Sequence, residues 1–404
     1  MEKTLGLLGI LGIMLASSLT IMVGSAITPA LPQIGEYFQL GNYSSWLVTI
    51  PALGVVISAI PCGKFLNKFG AYLSCTIGLL IYGLLGISGC IMPEAISEFV
   101  VRFLLGIATA LIMTSSTALI SIFYKGEKQL KMIAIQGMAI EFGGVIFLSI
   151  SGVIAQFSWR SPYLIYGIAF IALLLLLFFV PNKKDTSDKN EKQSNVSKQQ
   201  EVSEKKESVY PVFLFAFLGM LIFFTAIISL PTYLQNEKGY STVFTGNYLS
   251  AISLIAVVFA GIMPKVVTRF TARGSLMIAY FSYAIGHGLF FFSDSSLFLY
   301  IAALFMGIGF GFSTPLVNHL TVERSTEETK ARNLSYYSMA TFLGQFLCSM
   351  IVLAVTGKMI FLASSIIALL TFFGALFAFS SKKKSYNLQI RTLWNKVLSI
   401  VAQN

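Results

Sequence analysis

Charged side chains are scarce in this chain. Asp, Glu, Lys and Arg make up only 11% of the 404 residues, whereas 56% of the residues are apolar. A typical soluble domain carries about 25% charged residues, so a soluble fold would lack the polar surface that it needs. The composition therefore excludes an ordinary soluble protein and predicts that most of the surface faces lipid.

The residues from which catalytic and metal sites are built are also rare. There are two histidines and four cysteines, and the cysteines have no Cys-x-x-Cys spacing. The sequence has no cluster of His, Cys, Asp and Glu and no phosphate-binding glycine loop. We therefore expect no cofactor, no metal and no enzymatic activity. The cysteines, which we expect to pack among apolar residues, are Cys62, Cys75, Cys90 and Cys348.

One polar segment, residues 182–209, interrupts the apolar sequence. Lys, Glu, Ser and Gln predominate in it, and it contains no aromatic residue. Such a segment cannot bury enough apolar surface to offset its ordering entropy, so we predict a disordered linker. The linker separates residues 1–181 from residues 210–381. Residues 382–404 then form a tail, for which an interfacial helix beside a basic cluster and a disordered segment are both open.

The apolar runs on both sides of the linker have the length of transmembrane helices. A bilayer core of roughly 30 Å requires about 20 apolar residues per helix, and a barrel would instead show alternating strands of about ten residues. We predict an all-α membrane protein with twelve spans in two pseudo-symmetric six-helix bundles. The predicted spans are 5–28, 44–62, 73–92, 97–121, 130–155, 162–181, 210–232, 244–267, 274–292, 296–320, 334–356 and 359–380.

The basic residues predict the orientation of the spans. All but four of the 28 lysines and arginines lie on the side that carries both termini and the linker. Arg160, Lys238 and Lys358 lie on the other side, and Arg102 lies within a span. The positive-inside rule therefore places the termini in the cytoplasm of a cell bounded by a plasma (inner) membrane. We expect anionic lipid, and not nucleic acid, to balance the net charge of +11.

The two halves resemble a sequence repeat. Three short matches occur in the same order, at offsets near 200 residues. They are Tyr43-Ser44 with Tyr240-Ser241, Gly63 with Gly261, and Leu104–Ile107 with Phe305–Ile308. Repeated halves with a binding site between them at the bilayer midplane are typical of secondary transporters.

Four stretches carry a resemblance to the major facilitator superfamily. They are Gly63–Gly70, Thr28–Ile34, Arg102 with Gly106, and Gly152–Tyr163. The first is similar to the family's signature loop, and the others resemble its drug–proton antiporter branch. Asn67 stands where the family usually has Asp, and Leu105 stands in place of its usual Gln.

The resemblance implies the major facilitator fold, a monomer, a small-molecule substrate and transport by alternating access. It also implies that the loop between the second and third spans gates the cytoplasmic side. Because Asn67 brings no charge, we expect a weaker latch on the outward-open state than the family's Asp provides. An ordinary basic turn is the alternative for this loop. The gating residues are Gly63, Lys64, Asn67, Lys68 and Gly70.

Glu141 lies near the middle of the fifth span, ~16 Å deep at ~1.5 Å per residue. An ionisable group there costs roughly 2.5–3.5 kcal/mol on insertion scales and usually faces a cavity. Desolvation favours the protonated carboxyl group, and contact with water favours its release of the proton. Glu141 is therefore our candidate proton carrier, and a structural carboxylate bonded to a neighbour is the alternative.

Arg102 lies in the fourth span, some five residues below the outer surface, and keeps its charge there. Apart from Arg102, Glu141 is the charged residue that we place well inside the spans of the first half. We therefore expect Arg102 to act electrostatically on the pKa of Glu141 and so to take part in proton coupling. Snorkelling of Arg102 to the outer headgroups is the alternative. The matching position in the second half is Ala303, which assigns coupling to the first half. His287 is expected to be a hydrogen-bonded packing residue, and His319 to be interfacial.

A mostly apolar cavity with a few polar groups suits amphipathic or lipophilic ligands. We therefore predict proton-coupled efflux of such molecules, with protons as the coupling ion. Transport of one metabolite, a lipid-headgroup flippase and a non-transporting sensor are the alternatives. The predicted cavity residues are Met22, Gln136, Phe217, Asn247, Phe310, Asn318, Tyr336, Tyr337 and Gln345.

Overall fold

The computed structural model describes residues 5–182, 208–292 and 295–379, and helices account for nearly all of them. The linker between residues 182 and 208 and the tail after residue 379 lie outside this description, so both predictions stay untested. The α-helices are α1 (Leu7–Ser25), α2 (Leu31–Tyr37), α3 (Trp46–Phe69), α4 (Ala71–Ser88), α5 (Ala95–Phe123), α6 (Gly126–Ile154), α7 (Ile168–Phe179), α8 (Tyr210–Thr232), α9 (Thr242–Phe292), α10 (Ser296–Glu323), α11 (Glu327–Ala354) and α12 (Met359–Ala378).

Within the described ranges, eleven helical segments are long and apolar enough to cross a membrane. The spans predicted at 244–267 and 274–292 both fall in α9, which has 51 residues. At ~1.5 Å per residue, 51 residues in one straight helix would extend about 76 Å, more than twice a bilayer core of roughly 30 Å, whereas α9 consists of two helices that meet at a kink. Thr271, with φ 66° and ψ 168°, interrupts α9 between the two predicted spans. The count of twelve and the grouping into two bundles remain predictions.

Matching residues of the two halves make similar contacts. The Tyr82 hydroxyl in α4 donates to the Leu19 carbonyl of α1 at 2.7 Å, and the Tyr280 hydroxyl in α9 donates to the Phe215 carbonyl of α8 at 2.5 Å. These pairs are separated by nearly the offset that the sequence repeat shows.

Glycines allow close helix contacts at matching places in both halves. A methyl group on Gly106 of α5 would overlap the carbonyl of Pro51 in α3, and one on Gly307 of α10 would overlap the side chain of Ile255 in α9. Small residues at such contacts let membrane helices approach closely. Gly106 and Gly307 are therefore packing residues in equivalent helix pairs.

The two halves also contact each other on the side opposite the linker, here called the far side. Ser250 of α9 donates a hydrogen bond to the Val145 carbonyl of α6 at 2.8 Å. Closer to the far-side ends of the same two helices, Gly152 of α6 lies directly against Gly246 of α9. A Cβ on Gly152 would lie 2.7 Å from the Thr242 carbonyl oxygen.

A second far-side contact involves α2 and the π-helix Tyr233–Glu237 that follows α8. The Gln33 amide donates to Gln235 Oε1 at 2.8 Å, and the Gln235 amide donates to the Pro29 carbonyl at 2.7 Å. Together with the α6–α9 contact, these hydrogen bonds join the two halves on the far side.

We expect Gly152→Ala to open the far side, because its methyl group would meet backbone atoms of α9. Overpacking of this kind typically costs about 1–3 kcal/mol. Spin labels on cysteines at the exposed positions Gln156 and Asn247 would report a new, longer-distance population. Gly137→Ala is the matched control, because Gly137 lies in the same helix with open space around it. Identical distance distributions in both variants would contradict the packing role of Gly152.

Candidate functional site

Glu141 lies on the wall of a cavity between the two halves, here called the central cavity. Its helix, α6, contributes the apolar segment Lys131–Ile154, and Glu141 is close to the middle of that segment. The cavity has a volume of about 210 Å³. Its lining residues come from α1, α5 and α6 in the first half and from α8 to α11 in the second half. They include Thr20, Ser25, Met113, Glu141, Met220, Phe223, Phe224, Phe310, Thr314, Phe342 and Gln345.

Glu141 is the one acidic residue on this wall. Within the described part of the chain, no hydrogen bond or ion pair reaches its carboxylate. Two nearby hydroxyl groups bond to their own helix, because Thr20 donates to the Ser17 carbonyl and Ser25 donates to the Ile21 carbonyl. The carboxylate is partly exposed to the cavity, so a ligand, water or a proton can reach it.

The rest of the cavity wall is largely aromatic and apolar. The rings of Phe223 in α8 and Phe310 in α10 lie 4.1 Å apart between centroids, with an interplanar angle of 33°. Gln345 of α11 contributes an amide group, whose nitrogen lies 3.6 Å from the Cβ position of Gly24. One acid, one amide and stacked rings form a site that can hold an apolar body with one polar or charged group.

The partner of Arg102 is Glu98, and the expected link between Arg102 and Glu141 was wrong. Arg102 Nε lies 2.8 Å from Glu98 Oε1, and both side chains are fully buried in α5. Tyr163 also donates to Glu98 Oε1, at 3.0 Å. The charge of Arg102 is therefore balanced one helical turn away. Snorkelling is excluded as well, because Arg102 is only 1% exposed.

The sequence alone did not identify Glu98 as a charge inside the membrane. Glu98 is the second residue of the span predicted at 97–121, so its position along the chain places it at the membrane surface. The signal that could have found it is the spacing of four residues between Glu98 and Arg102. Residues at this spacing lie next to each other on one face of a helix, where opposite charges pair.

This buried group, the Glu98 cluster, consists of Glu98, Arg102, Tyr163 and Tyr166. Arg102 Nη1 donates to the Tyr166 hydroxyl at 2.7 Å, and that hydroxyl donates to the Val23 carbonyl of α1 at 3.0 Å. Val23 lines the central cavity. The cluster therefore holds the backbone of the cavity wall from behind and does not face the cavity itself.

Of the predicted cavity residues, Phe310 and Gln345 line the central cavity. Gln136 instead donates hydrogen bonds to Ser17 and Ser116, at 2.8 and 3.2 Å. Tyr337 donates to the Thr314 carbonyl at 3.4 Å. Met22 is buried in the core, Phe217 is half-buried, and Asn247, Asn318 and Tyr336 are exposed. A helix that is apolar on all sides gives no periodic signal for the face that meets the cavity.

Most of the predicted gating loop is helical. α3 continues through Gly63, Lys64, Asn67 and Lys68, and the chain turns only at Gly70. Gly70 has φ 81°, a conformation that favours glycine. Asn67 is exposed and makes no hydrogen bond with another described residue. The latch that the resemblance implies therefore stays a prediction.

The histidines lie apart from the central cavity. His287 is fully buried in α9, with Nε2 3.1 Å from the Ile222 carbonyl oxygen. His319 is partly exposed, with Nε2 4.0 Å from Glu323 Oε2. Over residues 5–182, 208–292 and 295–379, no three His, Cys, Asp or Glu side chains are grouped as a metal site would require.

The family model of the Major Facilitator Superfamily matches residues 13–349 and, in a second match, residues 249–401. The chain belongs to this superfamily. It is a multi-pass membrane protein and a transporter, not an enzyme.

Similar proteins include members of the drug-efflux branch. The chain is 22% identical over 328 residues to Multidrug resistance protein 2 of Bacillus subtilis, a match that covers 79% of this chain and 82% of that protein. It is 24% identical over 351 residues to the multi-drug resistance efflux pump PmrA homolog of Lactococcus lactis, with coverage of 83% and 85%.

A solved structure of a sugar transporter shows the same fold. The inward open conformation of the xylose transporter XylE from E. coli superposes with a TM-score of 0.73 at 15% identity, covering 93% of this chain and 97% of that one. At this identity the likeness concerns the fold alone.

The Glu98 cluster generates a stability prediction. Removing one partner of a buried ion pair typically costs about 3–5 kcal/mol, whereas replacing both partners by apolar residues is often neutral. We expect Glu98→Leu to lower the thermal unfolding temperature in detergent strongly and the double variant Glu98→Leu/Arg102→Met to recover most of the loss. Glu94→Leu, at an exposed position one turn earlier, serves as the control. Additive losses in the double variant would argue against a coupled pair.

Proposed function

We propose that this chain is a proton-coupled antiporter that exports amphipathic or lipophilic small molecules. The observation that carries the proposal is the position of Glu141. It is a carboxyl group at mid-membrane depth, it faces the central cavity, and no described residue pairs with it. A group in this environment can take up a proton when it is shielded and release it when it is wet.

Proton and substrate compete for the same carboxylate in this mechanism. When Glu141 is deprotonated, its charge favours a substrate with a positive or hydrogen-bonding group. When a proton binds, that attraction is lost and the substrate leaves. Because a proton and a substrate molecule cannot bind at the same time, each transport cycle exchanges a proton for a substrate molecule across the membrane.

The energy supplied by one proton is modest. A charge that moves through 100 mV yields about 2.3 kcal/mol, and each tenfold gradient requires about 1.4 kcal/mol. One proton thus sustains roughly a 50-fold gradient of a neutral substrate. A gradient of this size is sufficient for the efflux of toxic compounds that enter the cell slowly.

The cavity wall and the relatives support a drug-type substrate. The wall offers Phe223, Phe224 and Phe310 but only one amide, on Gln345, so it contacts a ligand mainly through apolar surface. Two relatives that match most of this chain are named for multidrug resistance or efflux. We further propose that the linker side is cytoplasmic, because nearly all lysines and arginines lie there.

Replacement of Glu141 by Gln tests the coupling role. In proteoliposomes with an imposed pH gradient, we expect Glu141→Gln to abolish gradient-driven dye transport, because the amide cannot carry a proton. Exchange of labelled for unlabelled dye without a gradient should be weaker than in the unaltered protein and independent of pH, because the amide has neither the charge that attracts the substrate nor a proton to release. Glu94→Gln, on the exposed far side, is the control. Unchanged gradient-driven transport in Glu141→Gln would remove Glu141 from the mechanism.

Replacement of Phe310 by Ala tests the substrate class. Loss of the stacked ring should weaken binding by about 0.5–1.5 kcal/mol, or two- to tenfold in apparent affinity. The effect should extend to several structurally unrelated aromatic dyes. Phe142→Ala provides the comparison, because Phe142 is 51% exposed next to Glu141 and does not line the cavity. If only one compound is transported at all, the protein carries one metabolite instead.

A further inference from the structure

The far side of the molecule carries a second and larger cavity, here called the far-side vestibule. Its volume is about 910 Å³. Residues 32–45 of the first half form one wall, and residues 228–237 and 352–361 of the second half form the others. It shares no lining residue with the central cavity. The contact between Gln33 and Gln235 joins two of the same segments.

The vestibule has an acidic lining. Glu36 of α2 and Glu237 of the π-helix each contribute a carboxylate, one from each half, and no lysine or arginine is part of the lining. Both side chains are exposed, and no ion pair or hydrogen bond within the described ranges occupies them. The acidic lining of the vestibule contrasts with the net charge of +11 of the whole chain.

The second-half wall of the vestibule is backed by two buried aromatic rings. Tyr233 and Phe361 meet edge to face with ring centroids 5.3 Å apart. Lys238 already lies against the Tyr233 ring, with its ammonium nitrogen 5.7 Å from the ring centre, so a ligand cation is attracted by the carboxylates and not by this ring. Ser229 in the same wall is only 7% exposed, and its hydroxyl group lacks a hydrogen-bond partner among the described residues.

We propose that the far-side vestibule is a second binding site, for an organic cation with an aromatic or aliphatic body. The two carboxylates attract the charge, and apolar lining residues such as Pro32, Val352 and Ile360 contact the body. A ligand in this place contacts both halves while the far side is closed. Because a ligand shifts an equilibrium toward the state that it binds better, occupancy stabilises the closed far side.

The experiment measures protection of a cysteine in the vestibule. Asn236, an exposed lining residue, is replaced by Cys in a Cys90→Ser background; Cys62, Cys75 and Cys348 are buried. The rate of labelling by a membrane-impermeant maleimide is measured against the concentration of benzyltrimethylammonium. We expect saturable slowing, and we expect no slowing by benzenesulfonate, which has a similar ring but a negative charge.

Charge-neutralising variants identify the site. Glu36→Gln and Glu237→Gln should each weaken protection severalfold, and the double variant should weaken it at least tenfold, because each carboxylate attracts the cation independently. Glu94→Gln, on the same side but outside the vestibule, should leave protection unchanged. Glu141→Gln should also leave it unchanged, so this proposal can hold even if Glu141 has no part in proton coupling.

Three outcomes would overturn the proposal. They are equal protection by benzenesulfonate, full protection in the Glu36→Gln/Glu237→Gln variant, and an equal loss in Glu94→Gln. The labelling rate without ligand shows whether each variant keeps the vestibule intact, because a misfolded protein would expose Cys62 and the other buried cysteines and label at several sites.

Discussion

An ionised carboxyl group inside a membrane has to find an opposite charge, hydrogen-bond donors or water, because its desolvation is otherwise too costly. This constraint explains why the two acids within the spans of the first half, Glu98 and Glu141, lie in such different surroundings. Glu98 is paired with Arg102 and accepts a hydrogen bond from Tyr163. Glu141 lies at the wall of the central cavity, where no other residue that the structure describes pairs with it. The surroundings of Glu98 fit a structural role, and those of Glu141 fit the proton-carrying role that we propose for it.

The two acids are connected through helix α1. The Glu98 cluster reaches the Val23 carbonyl through Tyr166, and the same stretch of α1 lines the central cavity with Thr20, Ile21 and Gly24. This stretch packs beside the helix of Glu141, where Gly144 lies against Ile21. The ion pair therefore supports the part of the wall that lies next to Glu141. In the absence of a hydrophobic driving force between helices in lipid, such packing and hydrogen bonds are what hold helices together.

The sequence was sufficient to predict an all-helical membrane protein of the major facilitator superfamily but not the orientation of individual side chains. Apolar runs of about twenty residues are enough to predict spanning helices, because lipid requires internally bonded backbones. Glu141 could be singled out because a charge in an apolar run is rare. The exposed position of Asn247 could not be foreseen, because its helix is apolar on every side. The interruption at Thr271 falls between the spans predicted at 244–267 and 274–292, and the basic residues Lys265, Arg269 and Arg273 mark this boundary in the sequence.

On the proposed mechanism, the far-side contact has to open and close during transport. Three neutral hydrogen bonds, from Gln33, Gln235 and Ser250, join the halves there. At roughly 0.5–1.5 kcal/mol each, they contribute only a few kcal/mol, which is comparable to the ~2.3 kcal/mol that one proton supplies across 100 mV. Gly152 and Gly246 add close packing without long side chains that would have to disengage. On the proposed mechanism, one proton bound at Glu141 is therefore of the right energetic scale to shift the molecule between its two states.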